Sequence, residues 1–347
     1  MNGYSNKIIQ EDLHMIYEED LDWNSFSNKS ILITGATGLI ASYLTFFFVY
    51  LKRKGNILID ITVLCRTKEK AISLFGDLLS SGDIRIIYQD ICEPLPSYHY
   101  DYIFHLAGNA SPHYIKNDPV GILKANVLGT INVLESAKAS NAKVFFASTR
   151  EVYGKVEGKS SLSEIDFGVL DSMEPRSCYP ESKRAAETLM KSYFLQYNVP
   201  VYIARIAHTF GPGMATQNDG RIMSDLVGNA IRKENVLLKS KGEALRAFCY
   251  VSDTIVGCLY ILLKGEAGVA YNLSNEKEEI SIKDLAEFIA SYVGCEVKYD
   301  IQDNSGIYCN YKRIGLDTHR LEQLGWCPKN DLRNGLIKTI DYVVKEV

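Results

Sequence analysis

Short segments rich in β-branched and aromatic residues alternate along the chain with longer amphipathic segments. The predicted strands are SILITGA, IDITVLC, IRIIYQD, DYIFHLAG, AKVFFAST and VPVYIARIAH, and the helices between them include LIASYLTFFFVYLKR, KEKAISLFGDLL, PVGILKANVLGTINVLESAKAS and YPESKRAAETLMKSYFLQYN. Strands that alternate with helices in this way indicate an α/β fold with a doubly wound parallel sheet.

This alternation divides the chain into three parts. Residues 1–29 are predicted to form a short helical extension, and residues 30–207 carry the regular alternation of strands and helices. After a loop rich in Gly, Asn and Asp, residues 208–347 mix helices with short strands, which predicts a smaller C-terminal α/β lobe for the substrate. We expect a segment near 245–262 to return to the first domain.

The composition is typical of a globular protein and argues against a nucleic-acid-binding or membrane-spanning one. The 347 residues are 46% hydrophobic and 23% charged, which is ordinary for a globular protein, and the net charge of −4 argues against nucleic acid as the main partner. The longest apolar run, residues 43–51, is about half the length of a membrane span. The eight cysteines have no metal-ligand spacing and the acidic N-terminus is unlike a signal peptide, so we expect a cytoplasmic protein without a metal.

The first strand leads into a glycine-rich turn, ILITGATGLIASYL. Gly35 and Gly38 allow a tight turn in which backbone N–H groups at a helix start can approach a pyrophosphate, and Ala41 is small enough for close helix packing. The pattern predicts a Rossmann-type dinucleotide site, with contacts from the same turn by Thr37, Leu39 and Ile40. The alternative is an ordinary tight turn.

The choice between NAD and NADP stays open in the sequence. A carboxylate normally ends the second strand to hold the ribose, but Asp60 lies at the start of that strand. Arg66 and Lys68 follow its end, where cations suit a 2′-phosphate, although they could equally belong to a solvated helix start. Asp90 and Ile91, at the end of the third strand, are expected beside the adenine.

A tyrosine and a lysine are spaced to share one helix face. Tyr179 and Lys183 lie at i and i+4 in CYPESKRAAETL. A neighbouring ammonium lowers the pKa of a phenol, which could then take a proton from a sugar hydroxyl as its hydride leaves. The alternative is a surface helix in which the spacing occurs by chance.

With these motifs in place, the chain from about residue 29 onward resembles the extended short-chain dehydrogenase/reductase family, in particular its nucleotide-sugar epimerases, dehydratases and decarboxylases. The resemblance rests on the ordered motifs TGATGLIA, HLAGNASP, NVLGTINVLESAK, STREVYG, YPESK, ARIAHTFGPG and RAFCYVSD. It implies a nucleotide diphospho-sugar substrate that is oxidised at C4 by a retained cofactor, and a homodimer packed through two helices per subunit. It further implies that Thr149, Tyr179 and Lys183 are catalytic and that Leu106, Ala107 and Ser148 line the cofactor.

The segment STREVYG bears on which reaction follows. Dehydratases of this family resemble STDEVYG, in which the Asp protonates the leaving hydroxyl; Arg150 replaces it here and cannot act as an acid near neutral pH. UDP-glucuronate decarboxylases resemble STSEVYG, and this chain keeps Glu151, which the resemblance makes a fourth candidate catalytic residue. We therefore expect a decarboxylase-like enzyme first and a 4-epimerase or 4,6-dehydratase second. Arg150 either holds an anionic group of the sugar or forms a surface salt bridge.

Three further residues are candidate substrate contacts. His208 stands where the family usually has Asn, and either positions the substrate or packs within its loop. Arg221 and Arg246 are candidate contacts to the diphosphate or the sugar, with surface roles as the alternative.

Two rival functions remain: an NADPH-consuming 4-keto-sugar reductase, favoured by Arg66 and Lys68, and a non-catalytic dinucleotide sensor.

Overall fold

A computed structural model describes residues 3–217, 219–301 and 314–344. Its helices are α1 (Lys7–Tyr17), α2 (Leu39–Lys54), α3 (Lys68–Ser80), α4 (Pro112–Asn117), α5 (Pro119–Ser140), α6 (Cys178–Tyr197), α7 (Ile222–Ile231), α8 (Val251–Lys264), α9 (Ile282–Val293), α10 (His319–Glu322) and α11 (Leu332–Val344). Its strands are β1 (Lys29–Thr34), β2 (Ile59–Cys65), β3 (Ile84–Tyr88), β4 (Tyr102–His105), β5 (Lys143–Thr149), β6 (Ser161–Leu162), β7 (Val201–Ile206), β8 (Thr209–Phe210), β9 (Val236–Leu238), β10 (Leu245–Ala247), β11 (Cys249–Tyr250), β12 (Val269–Leu273), β13 (Glu279–Ser281), β14 (Val297–Tyr299) and β15 (Gly315–Leu316).

The central sheet has seven strands in the order β12-β7-β5-β4-β1-β2-β3, and every pairing in it is parallel. The strand order reverses between β1 and β4, which is the switch point where open α/β sheets bind ligands. The predicted doubly wound parallel sheet is thus confirmed. The chain returns to this sheet late, because β12 forms its edge beside β7 and α8 packs against β7.

Two apolar layers cover the sheet. Along β1 the side chains alternate: Ile31 and Ile33 belong to the cluster that holds α2 and α8, whereas Leu32 belongs to the cluster that holds α5 and α6. This period-two pattern in a strand that is buried on both faces explains why its sequence is a continuous apolar run.

The helices that frame the site have local end signals. The Asp118 side chain accepts a hydrogen bond from the backbone N–H of Gly121 (3.0 Å) at the start of α5. Asn141 and Asn198 end α5 and α6 in the left-handed conformation that Asn tolerates, with φ of 55° and 56°. These signals set where the helices end, and α5 and α6 pack against each other.

The N-terminal extension folds onto the sheet domain. Helix α1 contacts α2 and α8, and Asp12 on its inner face is fully buried. The Asp12 carboxylate accepts hydrogen bonds from Tyr43 (3.1 Å) and Tyr250 (2.7 Å) and pairs with Lys338 of α11 (2.7 Å). One buried carboxylate therefore joins the extension to three other elements.

Candidate active site

The glycine-rich turn brings the ends of β1 and β4 into contact. Gly35 has φ +68°, and a Cβ there would lie 2.7 Å from the Cα of Ala107, so both the conformation and the space require glycine. The Thr34 hydroxyl accepts hydrogen bonds from the N–H groups of Leu106 (3.2 Å) and Ala107 (3.1 Å). The predicted cofactor residues Leu106 and Ala107 thus lie directly beside Gly35.

The start of α2 is suited to a dinucleotide phosphate. Gly38 is the exposed N-cap and no side chain caps this end, so the first N–H groups of α2 have no side-chain partner. Thr37, Leu39 and Ile40 are partly exposed around it. Together with the close approach at Gly35, this arrangement fits the pyrophosphate of NAD.

Beyond the second and third strands, the candidate adenosine residues interact with each other. Arg66 lies 3.5 Å from Asp90 in an exposed ion pair, and Lys68 lies over the Tyr88 ring at 5.9 Å. Ile91 is buried. Asp60 lies at the start of β2, as expected, where it pairs with Arg85 and not with the ribose end of the site. The ion pair with Asp90 gives Arg66 a protein partner, which weakens its case as a 2′-phosphate contact.

Of the four candidate catalytic residues, Thr149, Tyr179 and Lys183 are buried and Glu151 is partly exposed. Thr149 ends β5, and its side chain lowers the pKa of the nearby Tyr179 phenol. The Lys183 ammonium donates to the Ala147 carbonyl oxygen (2.8 Å) and lies 4.6 Å from the centre of the Phe146 ring. Strand β5 and the first turns of α6 therefore hold this group together.

The electrostatics of Tyr179 differ from the expectation. Its pKa is raised, not lowered, because burial disfavours the phenolate and the nearby Glu151 carboxylate adds to that effect. The Thr149 side chain and the positive charges of Arg221 and Arg176 act in the opposite direction. Burial also lowers the pKa of Lys183, to about 8, against an opposing effect of Glu187. For both Tyr179 and Lys183, burial shifts the pKa more than the attraction between them that the helix spacing suggests.

Asn126, the first residue of the motif NVLGTINVLESAK, belongs to this site, although the sequence alone assigned it no role. It is fully buried on α5 and donates to the Ser182 hydroxyl (2.9 Å), while its Oδ1 has no hydrogen-bond partner. A Cβ on Gly108 would lie 2.6 Å from that oxygen and 3.4 Å from the Lys183 nitrogen. An unpaired buried oxygen this close to Lys183 marks a place for a donor from a ligand or a water.

Ser148 has a different set of partners from Thr149. Its hydroxyl donates to Glu187, which also forms an ion pair with Arg205 at 2.8 Å. Successive side chains of a strand point to opposite faces, which separates Ser148 from the Thr149–Tyr179 contact. Its assignment to the cofactor site remains a prediction.

Arg150 and Glu151 also have different partners. Arg150 donates to the backbone carbonyl of Ile314 (3.1 Å) and so connects the end of β5 to the segment before β15. Glu151 accepts from Arg176 (2.8 Å), a residue that sequence reasoning missed. Arg176 lies only three positions before Tyr179 in PRSCYP, and that proximity is the signal that could have identified it.

The remaining candidates lie in the C-terminal part. Arg221 pairs with the buried Asp219, whose backbone carbonyl accepts a hydrogen bond from Ser111 (2.6 Å), so this arginine is anchored to the sheet domain near Tyr179. His208 is exposed, with φ +38°, and its ring packs 5.7 Å from that of Phe248. Arg246 donates to the carbonyl of Leu245 (2.8 Å). Contacts to substrate by these three residues remain predictions.

Two absences hold for the described ranges. None of the helices within them is both long and apolar enough to cross a membrane. In the same ranges, no three His, Cys, Asp or Glu side chains are grouped as ligands for a metal ion.

Comparison with known proteins adds an independent line of evidence. The profile of the NAD dependent epimerase/dehydratase family matches residues 31–274. UDP-glucuronic acid decarboxylase 6 of Arabidopsis thaliana is 34% identical over 310 residues, which cover 89% of this chain and 87% of that protein. UDP-glucuronic acid decarboxylase 1 of Xenopus tropicalis is 36% identical over 324 residues, which cover 92% and 73%.

Solved structures show the same fold. A UDP-glucuronic acid 4-epimerase from Bacillus cereus, in complex with UDP-glucuronic acid and NAD, superposes with a TM-score of 0.77 at 21% identity. The match covers 92% of this chain and 100% of that one.

Proposed function

The chain belongs to the NAD dependent epimerase/dehydratase family, and from that premise we propose that this NAD-dependent nucleotide-sugar enzyme decarboxylates UDP-glucuronic acid. The observation that carries the proposal is the similarity to UDP-glucuronic acid decarboxylases over 89% of the chain, together with the Glu151 carboxylate retained beside the buried phenol of Tyr179. The absence of an acid at position 150 disfavours 4,6-dehydration.

The chain's own residues have distinct tasks in this reaction. When bound along the turn at Gly35 and Gly38, NAD supplies a hydride acceptor and a positive charge that favours the phenolate. Tyr179 takes the proton of the C4 hydroxyl and later returns it, and the hydroxyl of Thr149 holds the phenol in place. The Lys183 ammonium, anchored on Ala147, completes the group.

Oxidation at C4 makes the sugar a β-keto acid, which loses its C6 carboxylate readily as CO2, and a proton from water then adds at C5 before the hydride returns to C4. We assign Arg150 and Arg246 as candidate contacts to the acidic end of the sugar, and His208 and Arg221 as candidate positioning contacts to the sugar or diphosphate. Because the hydride returns to the sugar, the cofactor is expected to be recycled and retained.

We further propose a cytoplasmic homodimer. Helices α5 and α6 pack against each other and leave apolar side chains exposed, namely Val120, Leu123, Leu128 and Leu195. A second copy would cover them in the family's two-helix arrangement. Light scattering coupled to gel filtration tests this, and a monomer at micromolar concentration would contradict it.

Mass spectrometry of the product formed from UDP-glucuronic acid tests the proposed activity. A decarboxylase yields a UDP-pentose and CO2, a 4-epimerase yields an isomer of unchanged mass, and a dehydratase acting on a neutral UDP-hexose releases water. A reductase would instead consume NADPH in proportion to a 4-keto sugar. Formation of the UDP-pentose supports the proposal, and each of the other products contradicts it.

A further inference from the structure

Arg176 occupies a short 3-10 turn, Pro175–Ser177, that leads directly into α6 and Tyr179. Its guanidinium donates to Glu151 Oε1 across 2.8 Å. Glu151 itself lies on the 3-10 turn that follows β5, where its N–H donates to the Thr149 hydroxyl (3.2 Å). The ion pair thus connects the turn that follows the Thr149 strand to the turn that precedes the Tyr179 helix.

The pair lies at the edge of the buried phenol. The Arg176 and Glu151 side chains are 49% and 33% exposed, whereas Tyr179 is buried. The two charges have opposite effects on the pKa of Tyr179: Glu151 raises it and Arg176 lowers it. The exposure means that the pair itself is a modest source of stability.

The other groups around Tyr179 come from several elements. They are Thr149 of β5, Lys183 and the Cys178 thiol of α6, and Arg221 with its partner Asp219 before α7. Arg221 is already neutralised by Asp219. Arg176 is therefore the cation that offsets the Glu151 charge most directly.

We propose that Arg176 is a positioning residue that orients the Glu151 carboxylate beside Tyr179 and balances its charge there. The inference rests on one part of the proposed function, the oxidation at C4 in which Tyr179 and Glu151 face the sugar. Without the guanidinium, the partly exposed Glu151 side chain would turn among solvent-facing rotamers, and its charge would no longer be held against a cation. The ordinary alternative is a surface ion pair of no consequence for catalysis.

A double-mutant cycle distinguishes a positioning role of Arg176 from a surface ion pair without a role in catalysis. Arg176→Ala is expected to lower kcat about 3- to 30-fold, which lies within the coupling range of neighbouring residues, and Arg176→Lys is expected to restore part of the loss. In the Glu151→Ala background, Arg176→Ala should have little further effect on kcat, because its partner is already gone. Equal losses in both backgrounds would contradict the proposal.

The pH profile supplies a readout that a merely structural pair would not produce. Loss of Arg176 removes a charge that lowers the pKa of Tyr179, so the acidic limb of kcat/KM should move to higher pH. Glu151→Ala should move the same limb to lower pH, each by about half a unit or more. Shifts in the same direction, or none, would overturn the inference.

Arg184→Ala is the matched control, because Arg184 lies on α6 and pairs with Glu181 at 3.6 Å. Arg184→Ala should leave the acidic limb of the kcat/KM profile unchanged. Oxidation at C4 is common to decarboxylation, epimerisation and dehydration, so the cycle is measured with whichever sugar nucleotide the wild type turns over. A product other than the UDP-pentose would thus refute the proposed function and leave this inference standing.

Discussion

The Lys183 ammonium donates a hydrogen bond to the carbonyl oxygen of Ala147 across 2.8 Å. The contact joins α6, which carries Tyr179, to the end of β5, which carries Thr149. Because the ammonium is buried and spans two elements, the relative placement of phenol and hydroxyl does not depend on a flexible loop. The candidate catalytic group is preorganised by the sheet and the helix that covers it.

Replacement of Tyr179 by Phe keeps the ring and removes the proton acceptor. We expect kcat to fall about 10²-fold or more, the scale of lost general acid–base catalysis, while NAD affinity is retained. Steady-state kinetics and calorimetric NAD titration measure the two effects. Tyr98→Phe is the control, because Tyr98 is exposed on a distant loop. Near-full activity of Tyr179→Phe would refute the site assignment.

Gly35→Ala tests the cofactor turn. A methyl group there meets both the positive φ of 68° and the Ala107 backbone at 2.7 Å, so NAD affinity should fall about tenfold or more. Gly82→Ala is a matched control, since Gly82 has φ +72° with no atom within 4 Å of its would-be Cβ. Each change carries about 1–2 kcal/mol of left-handed strain, but only the first should alter NAD binding. Equal NAD affinity in both variants would contradict the assignment.

The glycine turn and the Tyr179–Lys183 pair could be predicted because their signals are local. Both depend on spacings of three or four residues within one turn or helix. The roles of Asn126 and Arg176 could not be predicted in that way, since their partners Ser182 and Glu151 lie 56 and 25 residues away. Which polar residues meet across elements is decided by packing, and no short pattern records it.

The environment of Asp12 is a feature of the fold that a local sequence pattern likewise could not predict. In the acidic segment EDLHMIYEEDLDW it is one of several carboxylates that a sequence pattern assigns to a solvated helix face. Its neighbour Glu11 is indeed exposed, yet Asp12 is fully buried, because the inner face of α1 packs on α2 and α8. Helix α1 lies within the predicted extension, but the buried ion pair on it could be found only from the structure.

Lys338→Met removes the cationic partner of that buried carboxylate. We expect the free energy of unfolding at neutral pH to fall by about 2–4 kcal/mol, somewhat less than for a fully buried pair because the Lys338 side chain is 23% exposed. Denaturant titration measures the change. Lys7→Met, which breaks an exposed pair with Glu11 on the same helix, should cost less than about 0.5 kcal/mol.

The loss in Lys338→Met should grow with pH. Burial raises the pKa of Asp12 in the folded protein, and Lys338 opposes that rise. An acid whose pKa is higher in the folded state destabilises the fold progressively as the pH rises from its unfolded value of about 3.9 through its folded value. Loss of Lys338 raises the folded value further, so the variant loses stability over a wider pH range than the wild type. The difference between wild type and variant should therefore be smaller at about pH 5 than at about pH 7.5. A difference that is constant with pH would contradict this account.

Arg150→Ser tests whether Arg150 holds the acidic end of the sugar in addition to the Ile314 carbonyl. Binding is measured in the Tyr179→Phe background, which prevents turnover. A lost charge-assisted contact is worth roughly 1.5–3 kcal/mol, so UDP-glucuronic acid should bind about 10- to 150-fold more weakly. UDP-glucose should be affected much less. Equal weakening of both ligands would assign Arg150 to the structural contact with Ile314 alone.

The central claim is that the enzyme removes C6 of UDP-glucuronic acid and recycles its cofactor. The most direct measurement supplies UDP-glucuronic acid labelled at C6, with NAD, and follows labelled CO2 and NADH absorbance together. We expect one labelled CO2 for each UDP-pentose formed, with no net accumulation of NADH. Turnover that keeps the label in the sugar nucleotide, or that changes NADH in proportion to product, would contradict it.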